Sequence, residues 1–111
     1  MNLEYAVERL YEVGWRPSYQ DVHRLPDGRE YPSVHAVRGE FARAELQLVI
    51  KHNPDFGCYR ATWAPLGQPV DPPVSADARH GTVIGASEQE AAVYALAQLK
   101  TALAERQVAI A

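Results

Sequence analysis

Four histidines, His23, His35, His52 and His80, and one cysteine, Cys58, are the side chains of this sequence most ready for chemistry. Zinc sites draw their ligands from such residues, commonly as close pairs on one element. No two of these histidines stand at a metal-ligand spacing such as i, i+4, and there is no second cysteine. Packed or surface imidazoles are therefore expected, and no metal. A cysteine nucleophile needs a nearby base and a group that orients that base. Cys58 opens a strand just after a turn, with His52 as the nearest base in sequence, and is read as a small half-buried residue. The chain also has no phosphate-cradling glycine loop, no serine elbow and no paired carboxylates in an obvious cleft. No catalytic residue and no cofactor are expected, and the chain is read as non-enzymatic.

Binding chemistry remains. With 11 basic and 14 acidic residues the net charge is -3, a soluble surface without a strong pull toward nucleic acid. The arrangement that could still meet phosphate is Arg43, Lys51 and Arg60 on one sheet face. Tyr5, Tyr11, Trp15, Tyr19, Tyr31, Tyr59 and Trp63 are many aromatics for this length. Tyr59 and Trp63 are read as core; the competing use is as a platform for stacked bases.

These residues must be held by elements that the hydrophobic pattern defines. In "NLEYAVERLYEVGW", Leu3, Ala6, Val7, Leu10 and Val13 make one helical stripe, with Asn2 as N-cap, Gly14 at the C-cap and Pro17 forbidding continuation. Glu4, Glu8 and Glu12 form a solvated second stripe. "LPDG" is a turn, because Pro26 presets φ and Gly28 can take φ > 0. Strands at about 18–25 and 31–38 would then pair Arg24 with Glu30, His23 with Tyr31 and Tyr19 with His35. Pro32 lacks a ladder donor, so its outer side faces water or a bulge sits there. "RGE" at 38–40 reads as a tight turn at Gly39, followed by a strand through "FARAELQLVIKHN" and another through "CYRATWAP".

The register of that second hairpin can be argued. Pairing Asn53 with Cys58 leaves a four-residue loop, and it sets Ile50 beside Ala61 and Leu48 beside Trp63 on the apolar face. Glu45, Gln47, Val49, Lys51, Arg60 and Thr62 fall on the opposite face. Residues 65–80 carry four prolines and no periodicity and are expected to form a long loop, with 67–80 the most mobile internal segment. "TVI" at 82–84 is a short strand or an extended lead-in. "SEQE" is a capping box that starts the last helix at Ser87, with Glu90 reaching back. Ala92, Ala95, Leu96, Leu99 and Leu103 are its buried stripe, and it should end near Arg106.

The expected product is a single α+β domain over 1–111. It is a two-layer sandwich in which the N- and C-terminal helices pack on one face of a three- or four-stranded antiparallel sheet, α-β-β-β(-β)-α. Leu10, Leu48, Ile50, Trp63, Leu96 and Leu99 are its predicted core. One cysteine excludes an internal disulfide and fits a reducing compartment. No apolar run approaches the roughly 20 residues of a membrane span. "MNLEYAVERL" lacks the apolar h-region of a signal peptide. A cytoplasmic protein without membrane contact is the expectation.

This element order resembles the double-stranded RNA-binding-domain-like superfold. In "AVERLYEVGW", Glu8 precedes Gly14 as a glutamate of that family's first helix does. In "GASEQEAAVYAL", Gly85, Ser87 and the alanine-rich helix follow the outline of its second helix. The family carries a Ser-Lys-Lys-x-Ala-Lys run there, whose lysines hold phosphates across the major groove. Here Ser87 is followed by Glu88, Gln89, Glu90, Ala91 and Ala92, so all three lysine positions are lost. "LPDGREY" does not match the family's Gly-Pro-x-His loop, and 65–80 is an insertion. "HNPDFGCYRATWAPLG" followed by "GASEQEAAVYALAQL" is also similar to the strand-turn-strand and Glu-Ala helix of HicB-type antitoxins, which have a shorter link. The resemblance implies a scaffold without its duplex-binding site. Two readings follow: a small interaction or regulatory domain with a protein partner, of a kind that also occurs among phage inhibitors, or a nucleic-acid binder using the sheet face or another surface.

Overall fold

A computed structural model of the chain describes residues 2–17, 21–70 and 79–110. Its elements are α1 (Leu3–Glu12), β1 (Val22–Arg24), β2 (Glu30–Pro32), α2 (Val34–Arg43), β3 (Leu46–Asn53), β4 (Cys58–Pro65), β5 (Gly81–Gly85) and α3 (Glu88–Ile110). The fold is α+β with two antiparallel sheets, β1-β2 and β3-β4-β5. No helix among the described residues is long and apolar enough to cross a membrane.

The helix ends form as their residues dictate. Asn2 Oδ1 accepts from the Tyr5 N–H at 2.9 Å. At the other end of α1, Gly14 takes φ +99°, the Trp15 N–H reaches Leu10 O and the Gly14 N–H reaches Tyr11 O, which is a Schellman closure. The Glu90 N–H donates to Ser87 Oγ at 3.1 Å, while Glu90 Oε2 accepts from the Ala86 N–H at 3.0 Å, one residue before the expected donor. α3 runs past Arg106 to Ile110.

β1 and β2 pair His23 with Tyr31 and Arg24 with Glu30 around the Leu25–Gly28 turn, as the sequence predicts. The strand expected over 31–38 is corrected: β2 stops at Pro32, and Ser33 caps α2 by accepting the Ala36 N–H at 3.1 Å. Gly39 therefore lies inside a helix rather than in a turn, and β3 begins at Leu46 rather than at Phe41. His35 sits on α2, so the expected Tyr19–His35 strand pair does not form; Tyr19 itself lies outside the described residues. Packing explains the change, since Val37 and Phe41 on α2 are both fully buried.

The β3–β4 register is the expected one, with Asn53 opposite Cys58, Ile50 opposite Ala61 and Leu48 opposite Trp63. Leu46, Leu48, Ala61, Trp63 and Val83 from one sheet face join a single cluster with Val37 and Phe41 of α2 and with Ala92, Ala95, Leu96 and Leu99 of α3. α1 packs mainly on α3 rather than on the sheet, and Ala6, Val7 and Leu10 enter the same cluster. Ile50 is only half-buried, and Leu103 is 38% exposed. The far sheet face is not wholly polar and open: Thr62 and Ala64 are buried there. Gln47 Nε2 on that face donates to the carbonyls of Pro65 and Gln68, tying down the start of the loop. Residues 71–78 of the Pro-rich segment, where its mobility was expected, lie outside the described residues.

Trp63 fills the centre of the core. Its ring lies 5.5 Å from Phe41 on one side. On the other side is Gly81, where an added Cβ would fall 2.6 Å from Trp63 Cε2 and closer still to Cζ2. The indole is only 4% exposed and rests against that backbone. Gly81→Ala should therefore cost about 1–3 kcal/mol through overpacking. Urea unfolding measures this, and an unchanged midpoint would mean that the indole does not rest on that backbone.

Candidate functional site

Arg43, Lys51 and Arg60 do not form one group. Lys51 and Arg60 are direct cross-strand partners on β3 and β4, on the sheet face away from α2 and α3. Arg43 stands at the end of α2, on the helix side, with its guanidinium 3.6 Å from Glu40 Oε1. Moving residues 34–43 from strand to helix separates it from the other two. Thr62 and Ala64 on that far face are buried, which leaves Lys51 and Arg60 toward its other end.

The histidines are also dispersed. His23 rests against Tyr31 at 5.5 Å, and His52 stacks on Tyr59 at 4.6 Å instead of turning to Cys58. Cys58 is a half-buried free thiol. Among the described residues no three histidine, cysteine or acidic side chains gather as a metal site would require.

A cleft of about 440 Å³ lies between the end of α1, the β1–β2 hairpin, α2 and α3. Trp15, Arg16, His35, Glu40, Arg43 and Lys100 line it. Each of its cations has a partner within the chain. Glu40 receives both Arg43 and Lys100, at 3.6 and 3.8 Å. Arg16 donates to Tyr11 O and Trp15 O at the end of α1 and lies 5.6 Å from the Tyr11 ring centre. Ser33, His35 and Asp21 meet at its rim without making a nucleophile. Ser33 Oγ donates to Asp21 Oδ1 at 2.7 Å and caps α2, while His35 Nε2 is 4.0 Å from Asp21 Oδ2 and mostly in solvent. Asp21 holds φ +71°, a left-handed backbone fixed in place by Ser33, whose N–H and hydroxyl both bond to it.

The strongest perturbation of an acid is elsewhere, in the β1–β2 turn. Asp27 accepts the Arg29 N–H at 2.9 Å and the Arg29 Nε–H at 2.9 Å, which together hold its carboxyl below the usual 3.8. That pair is a turn clamp, exposed to water and remote from the cleft.

Two other surfaces stand out. At the start of α3, Glu88 is exposed while Glu90 is buried within its own cap. Along the β5 edge, a second cavity of about 530 Å³ lies between the strand and α3, with Tyr94, Gln98 and Ala102 on its helix side. The sequence reading found the first of these through "SEQE" and missed the cleft, whose residues come from four separate elements. The one signal pointing to the cleft was Ser33 before Val34, Val37 and Phe41, a capped helical pattern.

No known protein family, curated protein or solved structure matches the chain.

Proposed function

We propose that this chain is a non-enzymatic interaction or regulatory domain that binds a protein partner, built on a scaffold resembling the double-stranded RNA-binding domain but without its RNA site. The supporting element order is α2-β3-β4-β5-α3, which is itself α-β-β-β-α. On that alignment the family's first helix corresponds to α2, and α1, with its Glu8 and Gly14, is an addition packed on α3. The observation that carries the reading is the start of α3. A duplex binder of this shape needs cations there to meet phosphates across the groove. Glu88 and Glu90 occupy the first turn instead, and the carboxylate of Glu90 is committed to the Ala86 N–H. The helix dipole places only about half a positive charge at that end, too little to offset two carboxylates.

One observation favours a nucleic-acid reading on a different surface. Lys51 and Arg60 stand directly opposite one another on β3 and β4, which sets two cationic residues side by side on the sheet face away from α2 and α3. A duplex RNA of about 20 base pairs, titrated at about 50 mM salt where weak phosphate contacts register, separates the two. The expected result is no binding at micromolar concentration. Binding that is lost when Lys51 and Arg60 are both changed to alanine would select the second reading. Binding gained only with Glu88→Lys and Gln89→Lys would support a retained scaffold whose RNA site is absent.

A further inference from the structure

β5 ends its sheet, pairing with β4 alone, and among the described residues no strand lies on its other side. An open edge presents unpaired N–H and C=O groups, and proteins usually blunt it with lysine, proline or a bulge. β5 is Gly-Thr-Val-Ile-Gly and has none of these. Thr82 and Ile84 point away from the core and are exposed, Ile84 by 56%. The helix side of the flank carries no charged residue, while His80 lines the cavity at the start of the strand and Arg60 lies behind Ile84 on β4. Tyr94, Gln98 and Ala102, spaced i, i+4, i+8 on α3, face the cavity of about 530 Å³ together with Val83. This flank belongs to a chain in which 23% of residues are charged and the net charge is -3.

Charge selects the occupant. A partner of different sequence gains specificity and speed from surfaces of opposite charge. Two copies of one chain present identical charges to each other, so they meet with least repulsion where there are none. The strand is also nearly symmetric about Val83, with a β-branched residue on either side and a glycine beyond each. The glycines have internal reasons: Gly81 lies under Trp63, and a Cβ at Gly85 would fall 2.6 Å from the Ala91 nitrogen. The self-complementarity therefore lies in Thr82, Val83 and Ile84.

We propose that β5 pairs antiparallel with β5 of a second copy about a two-fold axis at Val83, joining two three-stranded sheets into one of six strands. Thr82 of each copy then faces Ile84 of the other. The α3 stripes of Tyr94, Gln98 and Ala102 lie on either side of the seam and narrow the open cavity. This inference rests on the interaction reading and gives it a second copy of the chain as its partner.

Sedimentation velocity of the full chain from about 1 to 200 µM is expected to show the mass rising from 12.3 kDa toward twice that value. Thr82→Lys with Ile84→Lys places like charges opposite each other at both outer pairs, and should weaken association at least about tenfold. Thr82→Glu with Ile84→Lys places opposite charges at the same two pairs, and should associate at least about tenfold more tightly than the double-lysine variant. Both positions are exposed, and circular dichroism checks that each variant folds. An antiparallel pairing about Val83 makes the two variants diverge, whereas a parallel pairing, which sets 82 against 82 and 84 against 84, opposes like charges in both. A wild-type chain that stays monomeric throughout, or two variants that associate equally, would overturn the pairing. A monomer that ignores duplex RNA would leave the interaction reading standing with some other partner. A dimer that binds duplex RNA would keep the pairing and remove the interaction reading.

Discussion

Phe41→Ala is expected to lower the free energy of unfolding by about 3–5 kcal/mol, read from urea denaturation followed by circular dichroism. Phe41 is fully buried on α2, and its ring sits 5.5 Å from that of Trp63. Trp63 in turn rests on the Gly81 backbone, which limits how far the core can close over the space the phenyl ring leaves. The cost is therefore a lost transfer term plus a retained cavity. Arg38, exposed on the same helix, serves as the control, and Arg38→Ala should stay within about 0.5 kcal/mol. The experiment also decides what residues 34–43 are. Had the chain been a strand through Phe41, alternation would place that residue with Glu45 and Gln47 on the far face, and the loss would be under about 1 kcal/mol.

That helix was legible in part. Ser33 followed by Val34, Val37 and Phe41 is a cap and a helical stripe, and both form. Competing signals hid it. Two of its apolar residues are valine, which favours strands. Gly39 lies mid-helix, where glycine costs about 1 kcal/mol relative to alanine and normally marks a turn. A Cβ at Gly39 would find open space, with only the Arg43 guanidinium 3.8 Å away, so nothing local demands glycine there. Burial of Val37 and Phe41 outweighs the propensity. By contrast, the β3–β4 register was fixed by pattern alone, since shifting it by one residue would turn Leu48 and Trp63 out of the core.

The site was less legible for a related reason. One misassigned element moved Arg43 across the sheet from Lys51 and Arg60, because a strand alternates its faces with period 2 and a helix with period 3.6. Lys51 and Arg60 were correctly brought together, since their neighbourhood follows from the hairpin register. The cleft residues Arg16, Glu40 and Lys100 share no spacing that pattern could detect; Lys100 reaches Glu40 only because α3 packs beside α2. The burial of Thr62 and Ala64 on the far face is likewise something that alternation within β4 cannot show.

The buried stripe of α3 holds at Leu96 and Leu99 but not at Leu103, and this sets the second large effect. Leu96→Ala and Leu99→Ala should each cost about 2–5 kcal/mol, whereas Leu103→Ala should cost under about 1 kcal/mol. All three leucines lie on one expected stripe, of which Leu96 and Leu99 are in the predicted core. Leu96 and Leu99 are 1% and 3% exposed, whereas Leu103 is 38% exposed. The reason is reach. α1 has 10 residues and α3 has 23, so α1 spans about 15 Å of a helix more than twice as long. α1, α2 and the sheet converge on the stretch from Ala91 to Leu99, where alanines let the neighbouring backbones come close. Leu96 and Leu99 are one turn apart and share neighbours, so their double substitution should fall short of the sum of the two singles. Guanidinium or urea midpoints for the three single variants and the pair provide the measurement. A loss at Leu103 equal to that at Leu96 would mean that the last third of α3 is packed against protein, and a loss under 1 kcal/mol at both Leu96 and Leu99 would remove α3 from the core.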